Sequence, residues 1–185
     1  MLQDRLFGAF SFRQGIYYEV EHDESFTTTA WILVIVAAFL NQLGTFASSD
    51  YLNGFVGAVG ATLAEIIAFA IGCFLVYWIG KNFFNAEVTF GEMVRTLGLA
   101  HVWRAVGVLG VVSAIIPALT CIVWPVLILA TLLGLAAWFV AAKEALDLDI
   151  VQTIITVVIG FIGFIVIVQV LTAVLGFLGF GSALF

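Results

Sequence analysis

Five runs of about 20 mostly apolar residues follow one another along this chain, at roughly 27–47, 55–80, 95–116, 118–141 and 150–175. Each is long enough to cross the hydrocarbon core of a bilayer as an α-helix, which takes about 20 residues. A backbone in lipid has to satisfy its own N–H and C=O groups, so such runs fold as helices. The expected fold is all-α, a polytopic membrane protein with five transmembrane helices. Composition agrees, with 64% of the 185 residues hydrophobic and only 10% charged, where soluble domains carry about 25% charged residues.

The charges that remain fall between the runs and favour one side. Arg5 and Arg13 precede the first run, Lys81 and Arg95 flank the second loop, and Lys143 follows the fourth run. The opposite side receives "ASSDYLN" (47–53), the turn at Pro117 and the C-terminal "GFGSALF", none with Lys or Arg. By the positive-inside rule the N-terminus is cytoplasmic and the C-terminus external. A cleaved signal peptide is the competing reading of "WILVIVAAFL", but residues 1–29 hold two Arg and five Asp or Glu, whereas a signal needs a short positive leader. The first run is therefore read as an uncleaved anchor, with Asn41 and Gln42 near its outer end facing protein. Residues 1–26 form a separate segment ahead of the membrane domain, 27–185. Their mixture of aromatic and charged residues, "RLFGAFSFRQGIYYEVEHDES", predicts an amphipathic interfacial helix, with Tyr17 and Tyr18 in the aromatic belt.

Six Lys and Arg against twelve Asp and Glu, a net charge of −6, exclude nucleic acid as a partner, since phosphate binding needs clustered positive charge. Cys73 and Cys121 lie in apolar runs and read as small hydrophobes. No metal-ligand spacing accompanies them. Small residues at helical spacing, Ala64, Ala68 and Gly72, then Ala130 and Gly134, then Gly160 and Gly163, predict close contacts between spans. Gly176, Gly179 and Gly181 continue that pattern at the C-terminal end. Pro125 predicts a kink in the fourth span.

Three ionisable groups sit at membrane depth: Glu65, His101 and Arg104. Each costs about 2.5–3.5 kcal/mol to insert there, so their presence needs a cause. Counted at 1.5 Å per residue, Glu65 lies roughly 15 Å below the external start of the second span, and Arg104 about 15 Å above the cytoplasmic start of the third. The two spans are consecutive and antiparallel. A structural ion pair between Glu65 and Arg104 is expected, with His101 one turn nearer the cytoplasm on the same face. His101 is also a candidate ligand for haem or a chlorophyll-type pigment, although a membrane histidine more often bonds to a neighbouring helix. No catalytic constellation is present, no metal site is expected, and no cofactor is assigned.

The stretches "YWIGKNFFNAEVTFGEMVRTLGLAHVWRAVGVLG" (77–110) and "LAAWFVAAKEALDLDIVQTIITVVIGFI" (135–162), with the lead-in "GIYYEVEHDES", resemble the prokaryotic branch of the Ypt-interacting-protein (YIP domain) family. The resemblance implies five spans with a cytoplasmic N-terminus in a prokaryotic cytoplasmic membrane, and a non-enzymatic role in membrane organisation or complex assembly. The Asp-Leu-Tyr-Gly-Pro motif of eukaryotic members is absent, so their binding of Rab GTPases is not implied. Val102, Trp103 and Arg104 stand where prokaryotic relatives often have a proline. The leading expectation is a structural or accessory subunit whose partners are lipids and other membrane-protein subunits. The alternatives are a pigment-, haem- or quinone-associated subunit using His101, which would be coloured or redox-active, and a small channel or permease using Glu65 and Pro125, which would need water at the carboxylate.

Overall fold

Each apolar run becomes a helix because no other local structure satisfies its backbone in lipid, and each ends where the sequence breaks the pattern. The computed structural model describes residues 2–47 and 51–175. Two short helices, α1 (Leu2–Phe10) and α2 (Ile16–Glu21), precede α3 (Phe26–Phe46) and α4 (Tyr51–Phe84). The third span, Phe90–Ile115, begins as α5 (Phe90–Ala100), tightens into a nine-residue 3₁₀ helix (His101–Leu109) and closes as α6 (Gly110–Ile115). A 3₁₀ turn at Pro117–Leu119 leads into α7 (Thr120–Leu146), and α8 (Ile150–Leu175) follows. Four spans, Phe26–Phe46, Gly54–Phe84, Phe90–Ile115 and Pro117–Leu146, are long and apolar enough to cross a membrane, and α8 adds a further apolar helix. The glycine-rich C-terminal stretch, with Gly176, Gly179 and Gly181, lies outside the described residues.

The stops have local causes. Asn85 (φ 54°) and Asp147 (φ 48°) turn left-handed after α4 and α7, a conformation that Asn and Asp tolerate better than most side chains. Ile116 is extended, at φ −126° and ψ 84°, as the residue before Pro117 has to be. Thr89 accepts from the Glu92 N–H while the Glu92 carboxylate accepts from the Thr89 N–H, a capping box that starts α5. Pro125 does not end α7, which runs through it as one helix.

α3 occupies the centre. Its Ala30, Val34, Ala37 and Ala38 recur at helical spacing and are fully buried. They face α4, α5 and the 3₁₀ segment. α8 lies on α4, where Gly160 meets Val76 and Gly163 meets Leu75. One end of the bundle gathers the segments that carry Arg5, Arg13, Lys81, Arg95 and Lys143: Leu146 packs on Gly80, Glu144 reaches α2, and Arg95 reaches the end of α2.

The N-terminal stretch, expected as one helix, is two. Phe12 (φ 53°) and Gly15 (φ 77°) break it, and α2 folds inward. Ile16, Tyr17 and Val20 are fully buried in the protein core. Tyr17 therefore sits inside the protein rather than in an aromatic belt, while Tyr18 and Phe7 stay exposed.

Candidate functional site

Glu65 projects from the middle of α4 and is nine-tenths buried, its side chain 10% exposed. Three elements converge on it. The Arg104 Nε–H donates to Oε1 over 2.7 Å, His101 Nε2 stands 3.3 Å from the same oxygen, and the Gln42 amide donates to Oε2 over 2.7 Å. The two charges of the third and second spans thus meet at mid-span, with α3 supplying a neutral donor. The His101 ring packs edge-on against Phe69, centroids 5.1 Å apart, and its Nε2 lies near the carboxylate without the alignment of a hydrogen bond. A ligand on that nitrogen would have to compete with Glu65 for the space.

The 3₁₀ geometry sets this arrangement. At three residues per turn, positions three apart eclipse, whereas in an α-helix each such step drifts by about 60°. His101, Arg104, Gly107 and Gly110 therefore form one row. The first two members face the carboxylate, and the glycines face α3 at backbone contact. A Cβ on Gly107 would overlap Asn41 Oδ1, and one on Gly44 would overlap the Gly107 carbonyl. Only glycine permits this approach, which draws α3 onto the row.

Beside the row lies a cavity of about 840 Å³, bounded by α3, α4, the third span and α7, with Phe161 of α8 also in its wall. Its lining is largely apolar, with Phe69, Trp103, Trp124 and Trp138 in the wall, and Glu65, His101, Arg104, Asn41 and Ser113 make its polar side. Trp103 also meets the N-terminal segment, Phe10 edge-on at 4.9 Å and Phe12 at 5.9 Å. Buried Trp103 Nε1 and Ser113 Oγ make no hydrogen bond among the described residues.

A second polar cluster forms where the basic segments gather. Arg95, only 6% exposed, donates through Nε to the carbonyls of Val20 (3.1 Å) and Glu21 (2.8 Å), through Nη2 to Glu21 again, and through Nη1 to Thr27 Oγ1. It closes the C-terminal end of α2, whose last carbonyls lack helical partners. At the other end of α2, Glu144 Oε2 accepts from the Tyr18 N–H over 2.9 Å. α2 is thus clamped between α5 and α7. Burial pushes the Glu21 carboxyl up to about 7, and burial together with the Glu144 charge raises the Tyr17 phenol above its usual range. Ser25 and Arg5 hold Asp23 below the usual carboxylate range.

Arg95 reads from sequence as a topology-setting flank charge, and its clamp was not anticipated. The capping box was available as Thr89-x-x-Glu92. The glycine contact was available as the period-three row, once that period is weighed beside 3.6. Cys73 is buried, Cys121 exposed, and both are free. Among the described residues no three His, Cys, Asp or Glu side chains gather where a metal could be held.

No curated protein and no solved structure gives a match to this chain. A family model of the Yip1 domain matches residues 10–173. That match spans the part of the N-terminal segment that follows α1, the clamp on α2, the polar corner and the described part of α8 almost to its end, and the chain belongs to the Yip1 domain family.

Proposed function

We propose that the protein is a non-enzymatic organiser of membrane assemblies, an accessory subunit that docks on other membrane proteins. Its setting is a prokaryotic cytoplasmic membrane, with the Arg95 end of the bundle cytoplasmic and the opposite end external. The observation that carries this reading is the outward face of α7. Only 11% of an 18-residue apolar stretch of the Pro117–Leu146 span is buried within the chain, against 33% of the corresponding stretch of Gly54–Phe84. Ile122, Ile128, Leu129 and Leu132 are all exposed along it, and small residues nearby, Ala136 among them, leave room for a second helix to approach. The ionisable groups of the spans support the same reading. Glu65, Arg104 and Arg95 are taken up in helix-to-helix contacts, which leaves no acid, base and nucleophile side by side among the described residues.

Gentle extraction from the native membrane, followed by mass spectrometry of what co-migrates, tests the proposal. The expected result is one or a few membrane proteins in fixed ratio to this chain, lost from the Leu132→Arg and Ile128→Asn variants while the clamp end is untouched. A chain that migrates alone, or a companion set indifferent to both variants, would sink it.

A further inference from the structure

We infer that the cavity beside the 3₁₀ row holds the acyl chain of a small-headed lipid, a fatty acid or its ester, whose head oxygen accepts from the guanidinium of Arg104. Carboxylate and ester carbonyl share that acceptor chemistry.

Arg104 brings more donors than the protein takes up. A guanidinium has five N–H groups, and only the one on Nε has an acceptor among the described residues, Glu65 Oε1 at 2.7 Å. The four on Nη1 and Nη2 have none there, and the side chain is 47% exposed and lines the cavity. Glu65 is already engaged on both oxygens, with His101 Nε2 3.3 Å from Oε1 and the Gln42 amide donating to Oε2. At mid-span no bulk water serves the remaining donors, and a polar group left unsatisfied in hydrocarbon is costly. An occupant therefore has to bring oxygen to them. The free edge of the fork, Nη1 beside Nη2, suits a carboxylate bound through both oxygens or a carbonyl bound through one.

Depth selects a small head. Arg104 stands near the middle of the Phe90–Ile115 span, below the level where phospholipid phosphates lie.

The rest of the space is apolar and long. On α7 it is lined by Trp124, Leu127, Thr131, Leu135 and Trp138, a single face of nearly four turns, roughly 21 Å at 1.5 Å per residue. A volume of about 840 Å³ spread over that length is a channel about 40 Å² in section. One leaflet of hydrocarbon is about 15 Å deep, so an acyl chain fits along the channel without folding. Gly72, Gly107 and Gly110 on the other walls keep it clear. Trp124, Thr131 and Leu135 are also exposed, so this wall borders the surrounding lipid, from which a chain enters sideways.

Native mass spectrometry of the full chain released from detergent micelles tests the site, with oleic acid, methyl oleate and 1-octadecene as probes that share a chain length and differ in the head. One adduct per chain is expected with oleic acid or methyl oleate, and whichever binds at the lower concentration names the head as carboxylate or ester. The oxygen-free 1-octadecene should need at least about tenfold more, the worth of a hydrogen bond to a charged donor. Arg104→Lys keeps a positive charge beside Glu65 but loses the fork. It should raise the midpoint of the oxygen-bearing probes about fivefold or more and leave that of 1-octadecene unchanged, a split that a merely structural loss would not produce. Thr131→Phe, at an exposed wall position, should remove the adducts while melting stays at the wild-type value. Equal midpoints for 1-octadecene and the oxygen-bearing probes, or an Arg104→Lys variant that binds as the wild type does, would overturn the part given to Arg104. Adducts that exceed one per chain and persist in Thr131→Phe, or no adducts at all, would overturn the site and leave the cavity to water.

Discussion

Glu65 accepts from Arg104 and Gln42 and stands beside His101, so a single carboxylate ties α4 to α3 and to the third span. Removing one member of a buried pair leaves the other uncompensated, at about 3–5 kcal/mol in soluble proteins. Arg104 is 47% exposed and Glu65 only 10%, so the half-open guanidinium tempers the loss. Glu65→Gln and Arg104→Gln should each lower stability by about 2 kcal/mol, and the double variant by clearly less than their sum, since the two share one interaction. Thermal unfolding in nanodiscs reads this, and strictly additive losses would remove the pair from the account. The glycine row gives a sharper contrast. Gly107→Ala should cost about 1–3 kcal/mol, because its Cβ overlaps Asn41. Gly60→Ala meets nothing within 4 Å and should be neutral or gain about 0.5–1 kcal/mol from helix propensity. Equal effects at the two glycines would mean that α3 and the 3₁₀ segment do not touch as described.

Among the elements, α2 is the smallest and the most constrained, held by Glu144 at its start and Arg95 at its end. Clamping it buries Glu21 without a hydrogen-bond partner for Oε2 among the described residues, with His22 Nδ1 4.0 Å away. Glu92 of α5, Glu144 of α7 and Asp147 beyond α7 raise its pKa further, while His22 opposes them. With the folded value near 7 and an unfolded value of about 4.3, the folded state holds a proton that the unfolded state has released. Stability from this group therefore falls as pH rises from about 4.3 to 7 and levels off above. Glu21→Gln should flatten that window and stabilise the protein at pH 8 by about 1–3 kcal/mol, read from unfolding at pH 4.5, 6, 7 and 8. An unchanged slope would show that Glu21 ionises freely. The long helices were legible because 20 apolar residues have a single solution in lipid: the third run, read at 95–116, is the span Phe90–Ile115. The pitch change inside that span was not, since hydropathy is blind to whether a helix turns every 3.6 or every 3.0 residues. Nor was the burial of α2, which depends on a clamp assembled from residues 95 and 144, far from it in the chain.

At the scale of the whole molecule, the basic segments meet at one end of the bundle, and Cys121 stands at the other, exposed in the first turn of α7. Glu65, His101 and Arg104 could be picked out as ionisable groups within apolar runs, but Asn41, Gln42, Trp103 and Ser113 join them only through the rotation of α3 and the 3₁₀ pitch, which no single run encodes. The proposed orientation across the membrane rests on the charges rather than on the packing. Arg5, Arg13, Lys81, Arg95 and Lys143 share the end that the positive-inside rule assigns to the cytoplasm. The native cysteines turn that into a measurement. In the proposed orientation, a membrane-impermeant maleimide added to intact cells should label Cys121 without permeabilisation. Cys73 is fully buried and should stay unlabelled until the protein is unfolded. A cysteine placed at Asn85, exposed at the Lys81 end, in a Cys121→Ser background should label only once the membrane is opened. The reverse pattern, Asn85→Cys reacting from outside and Cys121 protected, would invert the bundle and put the clamp on α2 outside the cell.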